Sequence, residues 1–595
     1  MPSSLPPPSK KRKIQESQTI KEAQRLEQIL TDAINTNTSL NPLADLVDLA
    51  ASAKDARDVS KTIYALYRVF VLLINEGKLE VDGTEAAAAV KTWIREQMNR
   101  YVNVLGALFN HEEKTIRLSA LQILFSLQKH LSSSISAPSK PQFHVSHFKR
   151  IVSFLLLGPP GHPSPIDPDV LHEFHDKWFS ENDDIRWFFL REAATLLHNH
   201  PDSRDAPINL LTILQGLNTF PTEQSELNSW WVPELGAKPP KPKKAKGSAD
   251  ASEDEDADEA MPAGTEDDDD DWRKFFDDEP EAGAGKDKAP SARLHNLTIH
   301  QSLHSLPSHR AVFTRAWLTL LPRLTIKGDP ELSRALAVRA LNVMHRGVLP
   351  HLTRAVLVMD WIAACVDYGG SPGLLALNAL FVLMKEYNLD YPFFYKRLYA
   401  FLDRDVLHLK HRARFFRMTE VFLSSTHLPA TLLASFVKRL ARLSLCAPPA
   451  AIVMVIPFTY NILKRHPKLM PMIHRSDYDG AEEDPFLPEE TDPQQTNALA
   501  SSLWELATHR QHYHAGVSTL AKIFSEAFTK PSYAMEDFLD HTYGTLFETE
   551  AKRKIKKEPA LALDIGKDLE RLFPITKEDR PTMEGGVVQD LWVFA

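Results

Sequence analysis

Cysteine is nearly absent. Cys365 and Cys446 are the only two in 595 residues, so at most one disulfide is available, which excludes a bridge-dependent secreted scaffold and points to a reducing compartment. Glycine is also scarce, at 22 residues against 41 prolines. That balance argues against a glycine-dependent sandwich or a Rossmann-type sheet and for helices that proline starts and stops. Met1 to Pro8 holds no apolar run of signal-peptide form. The longest membrane suspect, Ala447 to Leu463, carries Pro448, Pro449 and Pro457 and falls short of the roughly 20 apolar residues a spanning helix needs. It is expected to be a buried helix pair.

Catalytic and ligand-binding patterns are missing or chemically defective. The sequence has no Walker loop and no G-x-G-x-x-G. Gly369-Gly370-Ser371-Pro372-Gly373 matches a serine-hydrolase elbow in letters only. The residue after the nucleophile must donate its backbone N–H to an oxyanion, and Pro372 has none; the segment is expected to be a helix-to-helix turn. His295, His300, His304 and His309 lie close together, but no thiol or clear carboxylate accompanies them to complete a zinc shell. His172-Glu173-Phe174-His175 is one residue short of H-E-x-x-H. The expectation is therefore a protein that is not an enzyme and has no metal and no cofactor.

The composition, 43% hydrophobic and 25% charged, is that of a chain that folds. Its net charge of −9 is concentrated in one stretch. Between Ser252 and Glu279, fifteen acidic residues meet only Arg273 and Lys274, a local net of −13, so the remainder is mildly basic. Residues 236–290 read as a Lys/Pro run followed by an acidic disordered linker. Its plain reading is a solvated spacer; the sharper one is an electrostatic mimic of nucleic acid. Residues 1–20 read as a basic disordered tail, where Lys10, Lys11, Arg12 and Lys13 follow Pro6 to Pro8 as in a nuclear import signal, or as an ordinary solvated terminus.

The rest is patterned as helix. Ile63, Leu66, Tyr67, Phe70, Leu73 and Ile74 recur at three- and four-residue steps, as one buried helical face requires. Similar spacing runs on to Trp230-Trp231, giving an N-terminal helical block over 21–235. In the C-terminal block, 291–595, Pro330, Pro350, Pro372 and Pro392 are spaced 20 to 22 residues apart. Two helices thus occupy about 42 residues, near the period of HEAT and armadillo repeats. The fold class expected is all-α, an α-solenoid of stacked helix pairs in two blocks. Basic residues cluster from Lys396 to Arg417. Lys410, Arg414 and Arg417 share a helical face, with Arg412 beside them, while Phe415, Val421 and Phe422 should point into the stack. This ridge is a candidate contact for RNA phosphates or an acidic partner; an exposed face or internal ion pairs is the plain alternative.

One further signal is a resemblance. His408 to Arg417, Phe422 to Ala430 and Lys438 to Leu443, followed by Asn497 to Leu506, His512-Tyr513-His514, Leu520 to Glu526 and Lys530 to Asp540, resemble in order the CCAAT-binding-factor domain of the nucleolar complex proteins, in its small-subunit branch. The resemblance covers about Val312 to Leu572, is weaker in the N-terminal block and is absent from the acidic tract. Ala527 stands where the pattern has proline, which alters a turn. The resemblance implies a non-enzymatic scaffold in the nucleus and nucleolus, acting in assembly and pre-rRNA processing of the 40S precursor within the small-subunit processome. Its implied partners are a protein like nucleolar protein fourteen, the pre-ribosomal particle and pre-rRNA backbone. It also marks Trp504, His512, Tyr513, Phe524, Tyr533 and Phe538 as a candidate partner surface. A nuclear transport adaptor, also built of helix pairs, is the alternative from a different class.

Overall fold

The computed structural model describes residues 18–79, 85–137, 140–158, 167–239, 298–326, 328–391, 393–408, 412–475, 483–552 and 554. The basic cluster Lys10 to Lys13, the acidic tract, His295 and Lys410 fall outside the described residues. Among the described residues all regular elements are helical, with one isolated bridge between Ala137 and Lys140. The chain is all-α, as its patterning predicts, and divides into two compact units, one ending at Met418 and one beginning at Thr419.

The first unit opens with α1 (Gln18–Thr36), α2 (Pro42–Ser52), α3 (Ala56–Asn75), α4 (Glu85–Ala107) and α5 (Lys114–Ile135). It continues with α6 (Val145–Leu157), α7 (Pro168–Phe174), α8 (Asp183–Asn199), α9 (Asp205–Leu214), α10 (Ile299–Leu303) and α11 (Leu306–Leu320). Then come α12 (Pro330–Val343), α13 (Met359–Val366), α14 (Gly370–Glu386) and α15 (Phe394–Ala400), and α16 (Arg412–Phe422) runs across the division. Proline opens several of these helices, where its missing N–H costs nothing. Pro42 and Pro168 begin α2 and α7, and Pro330 begins α12 with Asp329 capping Leu332 N–H at 3.1 Å. In α3, Val59, Ile63, Leu66, Phe70 and Leu73 are buried, so the three-to-four spacing read from the sequence is the buried face. Packing then skips along the chain: α1 lies on α3, α3 on α5, α5 on α7, α6 on α8, and α12 on α14. Contact between every second helix is what stacked pairs produce, the α-solenoid arrangement.

Patterning draws a boundary through 236–290, whereas packing draws it at 418/419. The physical reason is that segments flanking the acidic tract share one core. α8 packs extensively on α11, and Trp187 Nε1 donates to Ser308 Oγ at 3.0 Å in a buried site. Phe220 and Phe313 lie 4.5 Å apart between ring centroids. His300 and His304 both direct Nε2 at the Leu235 carbonyl, at 3.2 and 2.7 Å, which ties α10 to the segment before the tract. Gly369 and Gly370 adopt φ of +64° and +51°, a left-handed turn that glycine makes without strain. They turn α13 into α14, with Pro372 in the first turn of α14.

The second unit contains α17 (Ala430–Ser444), α18 (Pro449–Arg465), α19 (Trp504–Thr508), α20 (Ala515–Ala521), α21 (Glu536–Leu539) and α22 (Tyr543–Lys552). The helix pair expected over Ala447 to Leu463 is in fact the single helix α18, which continues through Pro457. Proline there removes one internal hydrogen bond, yet burial on every side keeps the helix whole: all fourteen residues from Ala450 to Leu463 are buried. Val517, Ala521 and Ile523 pack on it, with Phe528, Tyr533 and Phe538 beside them. Tyr460 donates to the Lys530 carbonyl at 3.0 Å, and Asn461 both accepts from Tyr533 N–H and donates to its carbonyl, each at 2.8 Å. No described helix is long and apolar enough to cross a membrane.

Buried histidines make the first unit sensitive to acid. His309 is fully buried with Nε2 2.8 Å from the Leu303 carbonyl, and burial pushes its pKa from the usual 6.5 down to about 3. The folded state therefore holds it neutral while the unfolded chain takes up a proton below pH 6.5, so its stabilising contribution is present above that pH and fades as pH falls toward 3. His309→Gln keeps a donor for Leu303 and cannot titrate. Compared by denaturant unfolding between pH 6.5 and 4, the natural chain is expected to lose stability relative to this variant, by up to about 1.4 kcal/mol per pH unit. A pH-independent difference would contradict the assignment.

Candidate interaction surfaces

The residues that the resemblance marks divide by burial. Phe524, Tyr533 and Phe538 lean on the core around α18, so their first role is to cover that helix. Trp504 and Tyr513 are exposed, Tyr513 at 84%. His512 stacks on Tyr513, with ring centroids 4.4 Å apart, and its Nδ1 accepts from His514 N–H at 3.0 Å. An exposed aromatic ring held by a stacked neighbour offers apolar contact area at low entropy cost, as partner-binding tyrosines do. The sequence patterning did not single out α22, which buries none of its side chains and exposes Phe547 at 77% and Tyr543 at 53%. Their four-residue spacing on an otherwise polar helix was the available signal. Trp504 and Phe524 also line a cleft of about 330 Å³ with Met472, Leu506 and Arg510.

Beneath Trp504 lies a charge network that the sequence hides. Lys438, the first residue of the Lys438 to Leu443 stretch in the resemblance, is completely buried. Its Nζ is 2.7 Å from Glu505 Oε1, 2.9 Å from Asp484 Oδ2 and 2.7 Å from the Ser502 carbonyl. The indole of Trp504 covers this group, with Lys438 Nζ 5.5 Å and Arg442 Cζ 5.8 Å from its centroid, and Nε1 reaches Asp484 at 3.3 Å. Burial raises the Glu505 pKa, an effect Lys438 partly offsets. Asp484 resists the upward push of burial: hydrogen bonds from Ser501 and Lys438 hold its pKa at about 2. Although Lys438 is close, neither Glu505 oxygen receives a well-directed hydrogen bond among the described residues. The network thus fixes α17 to α19 and sets the angle of Trp504, rather than offering charge to a ligand.

The basic ridge is only partly a ridge. Arg412 turns inward, 8% exposed, and donates to the Leu407 carbonyl at 3.3 Å. Phe415 and Phe422 are buried as expected, but Val421 is 48% exposed; on an eleven-residue helix its direction differs from theirs by more than the core can cover. Arg414 is half-buried and Arg417 exposed, and both line one recess of the first unit with Arg346, which is distant in sequence. Among the described residues no group of three His, Cys, Asp or Glu is placed to hold a metal ion.

Removing one partner of the Lys438 network leaves an uncompensated buried charge. Lys438→Met is expected to destabilise the chain by about 3–5 kcal/mol, with Lys438→Met/Glu505→Leu recovering much of that loss in chemical denaturation. If both variants unfold alike, the ion pair does not govern this region.

Comparison with known proteins places these features. The model of the CBF/Mak21 family matches residues 373–521, and that of the family described as Nucleolar complex protein 4-like, TPR repeats, matches residues 14–202. The resemblance read over Val312 to Leu572 thus meets a family match, and the N-terminal block has a match of its own. The human Nucleolar complex protein 4 homolog is 30% identical over 549 residues, covering 89% of this chain and 91% of its own length. An uncharacterised Schizosaccharomyces pombe protein is 33% identical over 537 residues, 88% of this chain and 93% of its own length. Nucleolar complex protein 4 of Saccharomyces cerevisiae is 42% identical over 287 residues, 44% of this chain and 51% of its own length. On these matches the chain belongs to the nucleolar complex protein 4 family, and with that membership come a nucleolar location and a part in ribosome biogenesis.

Proposed function

We propose that this protein is a non-enzymatic scaffold for the 40S precursor, supporting its assembly and pre-rRNA processing within the small-subunit processome together with a partner like nucleolar protein fourteen. The observation that carries this reading is the likeness to Nucleolar complex protein 4 homologues along about nine-tenths of the chain. An array of helix pairs suits the role, since it presents a long surface on which other chains can lie. The exposed aromatic residues of the second unit, Tyr513 with Trp504 and Phe547, are the surface proposed for the protein partner. Arginine and aromatic anchors dominate such contacts.

Depletion of the protein tests the reading directly. Mature small-subunit rRNA is expected to fall while large-subunit rRNA holds, and tagged full-length protein is expected to recover 40S precursors. An equal loss of both rRNAs, or recovery dependent on a transport GTPase, would favour the adaptor reading. For the partner surface, Tyr513→Ser changes a side chain with little burial, so the melting temperature should stay unchanged while capture of the partner from nucleolar extract weakens by roughly tenfold, the effect of losing about 1.4 kcal/mol. Undiminished capture would remove Tyr513 from the surface.

A further inference from the structure

In the first unit, four segments far apart in sequence meet around a recess of about 540 Å³. Asn218 follows α9, Asn378 lies on α14, and Arg414 and Arg417 lie one turn apart on α16. The fourth segment is a π-helical turn, Met344–Val348, which follows α12 and contributes His345 and Arg346. Such turns widen the helix by one residue, re-aim its side chains and recur at functional sites. Asn342, just before it, adds a third amide.

The charge of the recess is of one sign. Among the described residues that line it, three are arginines and none is acidic. Arg414 feels Arg346 and Arg417 as like charges that, after burial, lower its pKa. Its Nη1 is buried with no acceptor among the described residues, and His345 Nδ1 is likewise buried without a partner. Arg414 thus lies beside two like charges with one N–H unmet among the described residues, and a buried N–H lacking an acceptor costs free energy, so an anion placed at Arg414 would satisfy it.

We propose that this recess is a binding site for single-stranded RNA, in which Arg346, Arg414 and Arg417 hold a backbone phosphate and the asparagine amides engage the adjoining ribose or base edge. Size and lining select this occupant. The space equals on the order of eighteen water volumes, far more than a bare phosphate ion fills. Carboxylates of an acidic peptide would need donors only. Asn218, Asn342 and Asn378 each supply an acceptor as well as donors, and His345, which burial and the neighbouring Arg414 hold neutral with a pKa of about 4, can do so too. Ribose 2′-hydroxyls and base edges need both, while guanidiniums match phosphate oxygens in a planar fork. The choice of RNA as the source of the phosphate rests on the function proposed above; the anion site itself rests on the recess.

Binding of a fluorescein-labelled single-stranded RNA to the full chain, followed by anisotropy from roughly 50 to 200 mM salt, a range over which phosphate contacts weaken steeply, tests this. Arg346→Gln/Arg417→Gln changes two exposed side chains and is expected to weaken binding at low salt by roughly tenfold or more. The slope of affinity against salt should flatten by about 0.7 for each phosphate no longer neutralised. Asn378→Asp puts a negative charge into the recess and should weaken binding similarly, and DNA of the same sequence should bind less tightly than RNA. Thermal melting of each variant confirms folding, and Arg346→Gln alone provides the test if the double variant unfolds. Unchanged binding in the folded variants would overturn the proposal, as would displacement of RNA by polyglutamate at equal charge concentration, which would assign the recess to acidic polypeptide. If the variants lose RNA in vitro but depletion leaves small-subunit rRNA intact, the recess stands and the proposed function fails; the opposite pair of results leaves the function and removes the recess.

Discussion

Two buried carboxylates at the start of α8 hold the first unit together. Asp184 is wholly buried and accepts from the backbone N–H groups of Ile185 at 2.8 Å and of Trp231 and Val232 at 3.0 Å each. Asp183 accepts from Ser229 N–H at 3.0 Å and pairs with the buried Arg186. Burial raises the Asp184 pKa to about 6, and the three backbone donors pull against that rise. A carboxylate kept in such a place has no solvent to fall back on, so the stretch of backbone it binds must stay. That stretch leads into Leu235, whose carbonyl receives His300 and His304. The residues on both sides of the acidic tract are thereby fastened to one helix, and the recess of arginines is assembled on the body that results.

Helix type and direction of burial were legible in the sequence because periodicity is local. The three-to-four steps of α3, the proline that opens α12 and the turn at Gly369-Gly370 each depend on a few neighbouring residues. What was not legible depends on residues far apart in the chain. Lys438 resembles its neighbours Arg439 and Arg442 in any window, and only Glu505, more than sixty residues on, explains its burial. Pro457 suggests a break, but a helix enclosed on all sides tolerates it. The linker reading over 236–290 followed composition, which is local, whereas the packing of α8 on α11 joins described segments far apart in sequence.

The partner-surface residues show the same limit within a single motif. A resemblance carries residue identity without exposure: Tyr513 stands almost free while Tyr533, twenty residues later, packs on Tyr460 at 5.4 Å between ring centroids. Of the ridge residues, Arg412 and Arg414 are two positions apart and therefore point to different sides of α16. Only the second reaches the recess.

The enclosure of α18 has a bearing on how the chain is made. Ala450 to Leu463 is buried around its whole circumference and largely apolar, and the segment that covers one side of it, Val517 to Phe538, follows more than fifty residues later. At the roughly 5–20 residues per second of translation, α18 leaves the ribosome several seconds before its cover exists. For that interval the nascent chain displays a sticky helix, and a ribosome stalled between the two segments would release a product primed to aggregate.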